Sequence, residues 1–148
     1  DAGIRVVFMR MGVVLHPSGG MMKRVLLRFR LGLGGRLGGG TQPMSWVTLR
    51  DAVAAFRFVS ETDSLSGPVN LCAPESSTNI DFTVALGKAL GRPAVLPVPS
   101  LAIKLIFGPE LAAAILGGVS MDAGKLLESG FTFQDSSLAQ AAWRLGQE

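Results

Sequence analysis

The chain opens on a nearly continuous apolar run. Ile4 to Met9 (IRVVFM), following Ala2-Gly3, is rich in β-branched and apolar side chains, the composition of a strand covered on both faces, as in a parallel sheet. Arg10-Met11-Gly12 interrupts it, Val13-Val14-Leu15 resumes it, and His16-Pro17-Ser18-Gly19-Gly20 is a turn. A strand of this kind needs neighbours on both sides, and the expectation is that some of them lie upstream. From Met21 to Leu31 the period changes. Apolar side chains at Met22, Val25, Leu26 and Phe29, with Arg24 and Arg28 between them, have helical spacing with a basic stripe.

Farther on, Gln42 to Leu49 reads as a short extended segment with Trp46 on one face and Val47 on the other. Thr48 then heads a helix over Leu49 to Glu61 in the pattern Thr48-x-x-Asp51, with Val53, Phe56 and Val59 at core spacing. Asp51 is most simply a cap partner. Ser66-Gly67-Pro68 turns the chain into a strand ending at Cys72. Thr78-x-x-Asp81 caps a second helix, with Phe82, Leu86 and Leu90 in line and Gly91 closing it. Ala94 to Val98 reads as a brief strand. Helices are expected at Pro99 to Phe107, Pro109 to Leu116, Met121 to Glu128 and Ser137 to Leu145, most bounded by proline, hydroxyl residues or glycine. The class is α/β: a partial Rossmann-type arrangement of late parallel strands over residues 1–75, then a mainly helical, substrate-side domain over 76–148.

Between the first helix and Gln42 lies the glycine-rich stretch Gly32-Leu33-Gly34-Gly35-Arg36-Leu37-Gly38-Gly39-Gly40. It is not a dinucleotide fingerprint. Its glycines do not fall as G-x-G-x-x-G, no strand leads in, no helix starts at the last glycine, and no acidic residue stands about 20 positions on. It reads either as a plain loop or hairpin, or as a flexible ligand-facing loop beside cations and Trp46.

Composition narrows the chemistry. With 148 residues, 48% hydrophobic and 17% charged, the chain can bury a core. The most apolar stretch, Ala94 to Val119, is broken by Pro97, Pro99, Lys104, Pro109 and Glu110, which argues against a membrane span. The first residues lack the order of a signal peptide. The lone cysteine, Cys72, excludes an internal disulfide and a multi-cysteine metal site and reads as a small buried residue. A cytoplasmic location is the expectation. Residues 1–50 carry eight Lys/Arg against Asp1, and the rest carry six against ten acidic residues. This asymmetry points to an anionic partner for the first half, but sparse cations and the lack of any nucleic-acid-binding motif argue against nucleic acid. Arg24 and Arg28 read either as a solvated face or, with Arg36, as a grip on a phosphate or carboxylate.

No catalytic set can be assembled. His16, the one histidine, precedes a proline in a turn; Gly118-Val119-Ser120-Met121-Asp122 lacks the closing glycine of a nucleophile elbow; no metal-ligand spacing occurs; and Asp51, Asp81 and Asp122 are accounted for near helix N-termini. Catalytic, cofactor-binding and metal residues are therefore none.

Taken in order, Arg10-Met11-Gly12-Val13-Val14-Leu15, Phe29 to Gly38, Met44-Ser45-Trp46-Val47, and Gly67-Pro68-Val69-Asn70-Leu71 with Ala73-Pro74 closely resemble one family. The chain is similar to the C-terminal half of an NAD-dependent epimerase/dehydratase-like protein, an atypical extended short-chain dehydrogenase of the branch labelled sugar-nucleotide epimerase. Leu90-Gly91-Arg92-Pro93, Pro97-Val98-Pro99 and Gly130-Phe131 resemble that branch's extra C-terminal domain of unknown function. The similarity covers essentially all 148 residues.

The resemblance implies that Ile4 to Leu15 is a late strand of a Rossmann sheet and that the glycine-rich stretch borders the substrate cleft. It implies NAD or NADP for the full-length family, bound through a glycine-rich loop and a Tyr-x-x-x-Lys pair. This chain has no tyrosine and no such loop, so alone it is expected to bind no cofactor and to be catalytically incompetent. It also departs from the pattern. Classical sugar-nucleotide epimerases carry an arginine where Met44 stands and an asparagine where Val13 stands, both facing the nucleotide diphosphate, and a glycine where His16 stands. These differences put a nucleotide-sugar substrate in doubt, and Arg50 is a further divergence. The reading is a substrate-side portion of an epimerase/dehydratase-like oxidoreductase, with Arg24, Arg28, Arg36, Gln42 and Trp46 lining the cleft for a small anionic ligand. Its partner would be a missing N-terminal Rossmann half or a second copy of the chain. The rivals are a stand-alone small-anion-binding or self-associating module and a basic nucleic-acid binder.

Overall fold

The opening apolar run folds as one extended segment carrying two short strands, β1 (Val7–Met11) and β2 (Val13–Leu15). A computed structural model describes residues 3–147 of the chain; Asp1, Ala2 and Glu148, the outermost residues of the two expected domains, lie outside the described residues. After the turn comes α1 (Gly20–Arg30), then β3 (Trp46–Thr48), α2 (Leu49–Glu61), β4 (Gly67–Leu71) and α3 (Asn79–Leu90). The remainder is helical: α4 (Ser100–Phe107), α5 (Pro109–Gly117), α6 (Gly124–Glu128) and α7 (Leu138–Gln147).

Both strand pairs are parallel. β1 runs beside β4 in the register Val7 to Gly67 through Met11 to Leu71, and β2 runs beside β3 in the register Val13 to Trp46 through Leu15 to Thr48. The change of partner falls at Gly12. Its N–H donates to the Leu71 carbonyl at 3.0 Å, and the next amide, that of Val13, donates to the Ser45 carbonyl at 2.8 Å. Successive amides of an extended strand point to opposite edges, so β4 and β3 flank this segment on opposite sides. A Cβ at residue 12 would stand 2.7 Å from the Ser45 carbonyl oxygen, so the close approach needs glycine.

Three apolar clusters hold these elements. Val47, Ala52, Ala55, Val59, Val69, Leu71, Leu126, Phe131 and Phe133 join α2, β4 and α6, while Leu15, Leu26, Phe29, Trp46, Phe82, Leu86, Ala141 and Leu145 join α1, β3, α3 and α7. Val98, Ile103 and Ala112 form a smaller core between α4 and α5. The last strand, β4, ends at Leu71 and the elements from α3 onward are helices, while the first two cores draw residues from both sides of the expected boundary at residue 75. Thr78 and Asp81 form a complete capping box at α3. At α2, Thr48 Oγ1 accepts the Asp51 N–H, while the buried Asp51 carboxylate accepts the N–H groups of Gln134 and Asp135, each at 2.9 Å. Thr48 therefore caps α2, its hydroxyl in turn donating to Asp51 Oδ2 at 3.3 Å, and the Asp51 carboxylate moors the approach to α7. Asp135, itself buried, accepts from the Arg144 guanidinium at 2.9 Å. Cys72 is buried as expected; burial, and then the Asp122 carboxylate, push its thiol above the ordinary value, which keeps it protonated.

Several sequence expectations change. The first strand begins at Val7 rather than Ile4 and includes Arg10 and Met11, because β4 supplies partners only from Gly67 onward. It is not covered on both faces: Ile4, Val6 and Phe8 are exposed, whereas Val7 and Met9 pack on the core. Arg5 swings out of this run to donate to the carbonyls of Val59, Ser60 and Leu65 at and beyond the last turn of α2. Helix α2 buries Asp51, Ala52, Ala55 and Val59, leaving Val53 and Phe56 exposed, so the inward face is rotated from the one expected. Ala94 to Val98 forms no regular strand, only a parallel bridge between Leu37 and Val98. Met121 to Ala123 stays extended or turned, and the helix there is short because Met121 is bonded to Ser45.

Candidate functional site

Where the chain changes strand partners, five segments line a half-open cavity of about 340 Å³. Met11, Gly12 and Val13 supply one wall, Met21 and Val25 of α1 a second, and Leu37 with Gln42 to Ser45 a third. Asn79 and Phe82 enter from the start of α3, and Ala114, Ile115, Gly118, Val119 and Met121 close the far side. Hydrophobic segregation places α1 and α3, whose Met22, Leu26, Phe29, Phe82 and Leu86 belong to the second core. The far wall is placed by backbone bonding. Ser45 N donates to Val119 O and Val119 N donates to Pro43 O, both at 3.1 Å, while Ser45 Oγ donates to Val119 O and accepts the Met121 N–H. Gly118, at φ +66°, lies so close to Pro43 that a Cβ there would stand 2.2 Å from the Pro43 carbonyl oxygen.

The polar groups of this cavity are few. Asn79 Oδ1 accepts the Leu37 N–H at 2.7 Å, and Gln42 Nε2 donates to the Leu37 carbonyl at 3.0 Å. Asn79 N also donates to Gln42 O at 3.1 Å. These bonds orient both amides and leave Asn79 Nδ2, a donor, and Gln42 Oε1, an acceptor, without a protein partner among the described residues. Ser45 is fully engaged. No charged side chain lines the cavity.

Of the residues expected to line a substrate cleft, Gln42 is on the wall of this cavity. Arg28 lines a neighbouring hollow of about 50 Å³ that shares Val25, Leu37, Asn79 and Phe82 with the larger cavity, and its Nη2 donates to Leu33 O at 3.4 Å. Arg24 and Arg36 are exposed and line neither space. The buried face of α1 is Met22, Leu26 and Phe29, which turns the basic stripe to solvent. Trp46 corrects the expectation most plainly. It has 0% exposure, sits in the core with Leu15 and Phe82, and cannot offer its ring to a ligand. Its Nε1 is buried without a hydrogen-bond partner. Asn79 and Phe82 were hidden from sequence reasoning inside an ordinary capped helix; a polar residue in its first turn gives no sign of being buried.

The glycine-rich stretch is pinned rather than free. Leu96 N donates to Gly34 O, Val98 N to Arg36 O, Gly38 N to Val98 O and Gly40 N to Leu37 O. A Cβ on Gly35 would overlap the Leu96 carbonyl at 1.8 Å. The N–H groups of Leu37, Gly38 and Gly40 and the carbonyls of Gly34, Arg36 and Leu37 are thus committed within the fold. Val13 and Met44, the positions where the resemblance places polar nucleotide contacts, both line the cavity with apolar side chains. A separate hollow of about 400 Å³ lies between His16, Arg50 and α7, where Arg144 is engaged by Asp135 and His16 Nδ1 lies 3.0 Å from Ser18 Oγ. Among the described residues no three His, Cys, Asp or Glu side chains gather to hold a metal, and no helix is long and apolar enough to cross a membrane.

Residues 98–144 match a family model described as a domain of unknown function, DUF1731. Over 141 residues the chain is 44% identical to an epimerase family protein of Mycobacterium bovis, a match covering 95% of this chain and 47% of that one. It is also similar to the crystal structure of the human epimerase family protein SDR39U1 with NADPH, at a TM-score of 0.93 and 36% identity over 97% of this chain and 48% of that one. A nucleoside-diphosphate sugar epimerase from Corynebacterium glutamicum matches at a TM-score of 0.73 and 29% identity, over all of this chain and 28% of that one. The chain thus spans about half the length of the curated relatives it matches.

Proposed function

We propose that this chain, which corresponds to the C-terminal half of the epimerase family proteins, supplies the substrate side of an NAD(P)-dependent epimerase/dehydratase-like oxidoreductase. The observation that carries the reading is the cavity at Gly12, directly past the carboxyl end of β1 and lined on its far side by the helical region; open parallel sheets bind ligands beyond the carboxyl ends of their strands. Likeness to the human relative solved with NADPH supports the cofactor. A bound nicotinamide would exchange hydride with the substrate. The residues of this chain do something else: they bind and orient the substrate through Gln42 and Asn79 and present it an apolar surface of Met11, Val13, Met44 and Phe82. The dinucleotide itself falls to a Rossmann half outside this chain.

Fusing the chain behind the dinucleotide-binding half of the Mycobacterium bovis relative tests this. With methionine methyls labelled, NADPH binding to a folded fusion should move the signals of Met11 and Met44. NADPH binding that leaves both unmoved would separate the cavity from the active centre.

A second reading, self-association, is favoured by the exposed row Ile4, Val6 and Phe8 beside a strand bonded to β4. Sedimentation of the chain alone should then give a dimer that Phe8→Lys dissolves; a monomer at high concentration opposes it.

A further inference from the structure

Resting on the reading of this cavity as a substrate site, we propose that its ligand is a neutral, largely apolar molecule carrying one hydroxyl or amide-like group, and not a nucleoside diphosphate. The lining is apolar on every wall, and four of its side chains are methionines, Met11, Met21, Met44 and Met121. Thioether side chains adapt to irregular apolar shapes and offer nothing to a phosphate. A diphosphate carries about two charges, and among the described residues this apolar lining offers no cation to pair with them. Arg28, in the adjoining small hollow, is exposed and directed to Leu33.

The polar end of the ligand is specified by the amide pair. Asn79 is more than nine-tenths buried, its Oδ1 is held by Leu37, and its Nδ2 is left to donate. Gln42 is held through Nε2 and retains Oε1 as an acceptor. One donor and one acceptor, each oriented by the same backbone residue, match a group that both accepts and donates, as an alcohol does. A volume of about 340 Å³ suits a small-molecule ligand.

The six methionines provide the test, since Met9 and Met22 lie outside the cavity and serve as internal references. The methyl-labelled 148-residue chain is titrated with menthol, a neutral secondary alcohol, with p-menthane, which lacks the hydroxyl, and with UDP-glucose. Menthol should shift Met11, Met21, Met44 and Met121 while Met22 stays still, and should bind about five- to tenfold more tightly than p-menthane, the effect of one added hydrogen bond. Asn79→Asp keeps the acceptor for Leu37 N, suits a helix N-terminus and removes the donor; it should abolish the preference while the chain's melting temperature holds. Shifts with UDP-glucose at equal or lower concentration would overturn the ligand class yet leave the substrate-side reading intact. Failure of menthol to move the four methyls, or an equal response to menthol and p-menthane, would overturn the inference whatever the NADPH experiment gives.

Discussion

Asn79 and Gln42 grip the same residue from its two ends: Asn79 Oδ1 accepts the Leu37 N–H at 2.7 Å, and Gln42 Nε2 donates to the Leu37 carbonyl at 3.0 Å. A loop rich in glycine is thereby fixed against the first turn of α3. Asn79→Ala should leave the Leu37 N–H unpaired in a part-buried place and cost about 1–3 kcal/mol in urea unfolding. Asn79→Asp should cost far less. Equal losses would mean that the bond to Leu37 contributes nothing.

Gly117 and Gly118 are neighbours with opposite expectations. Gly117 ends α5 with open space around its Cβ position, whereas Gly118 has φ +66° and the Pro43 carbonyl against it. Gly117→Ala should stabilise the chain by about 0.4–1 kcal/mol. Gly118→Ala should destabilise it by roughly 2 kcal/mol or more and loosen the far wall of the cavity. Thermal unfolding of the two variants, with the Met121 methyl signal as a local reporter, checks both signs.

The buried carboxylates form a relay of anchors. Asp51 accepts from Gln134 N and Asp135 N, and Asp135 accepts from Arg144. Asp51→Ala should cost about 3 kcal/mol, since it frees two amides bonded to a charged group. Arg144→Ala should cost roughly 2–4 kcal/mol, somewhat less than breaking a fully buried pair because Arg144 is partly exposed. Denaturant midpoints decide both, and a neutral Arg144→Ala would show that water satisfies Asp135.

Asp81 is held below the ordinary aspartate value of 3.8, first by the Thr78 hydroxyl and then by the Thr78 backbone N–H. A lowered folded pKa means that the unfolded chain binds the proton first as pH falls. The stabilisation is therefore complete above the ordinary value and is lost as pH drops through it toward the folded value. Asp81→Asn should flatten stability against pH as pH falls through and below the ordinary aspartate value of 3.8, by a small amount because the group is exposed. An unchanged slope would exclude the capping box as a source of acid sensitivity.

Trp46 is a core residue, so its replacement should act on stability before ligand binding. Trp46→Ala should cost about 3–5 kcal/mol. Trp46→Phe should cost less than the lost volume implies, because it also removes a buried, unpartnered Nε1–H. In a Trp143→Phe background the remaining emission should be blue-shifted and shielded from acrylamide, since Trp143 is the exposed member of the pair. Ready quenching would return Trp46 to the surface.

Helices were the legible part of this chain because caps and periodicity are local. Thr48, Thr78, Gly91 and the prolines bound their helices as local chemistry requires. Orientation was not legible in the same way: which stripe of α2 faced inward depended on β4 and α6, and Ala52 and Ala55 prevailed over Val53 and Phe56. The extended segment at Ala94 to Val98 was visible, but its bonding to a loop rather than a strand was not.

The site divides along the same line. Sequence alone determined the likeness to the epimerase family proteins, the strand-bearing beginning, the helical end and the absence from this chain of a tyrosine and a dinucleotide fingerprint, because these depend on residue identity and short-range order. Tertiary structure alone decided that Trp46 is core, that the basic stripe of α1 faces solvent, and that Gln42 meets Asn79 across Leu37. The reason is physical: a side chain's exposure is set by what packs against it from distant parts of the chain, and the far wall of this cavity arrives some 75 residues after Met44, through the bonds of Val119 and Met121 to Pro43 and Ser45.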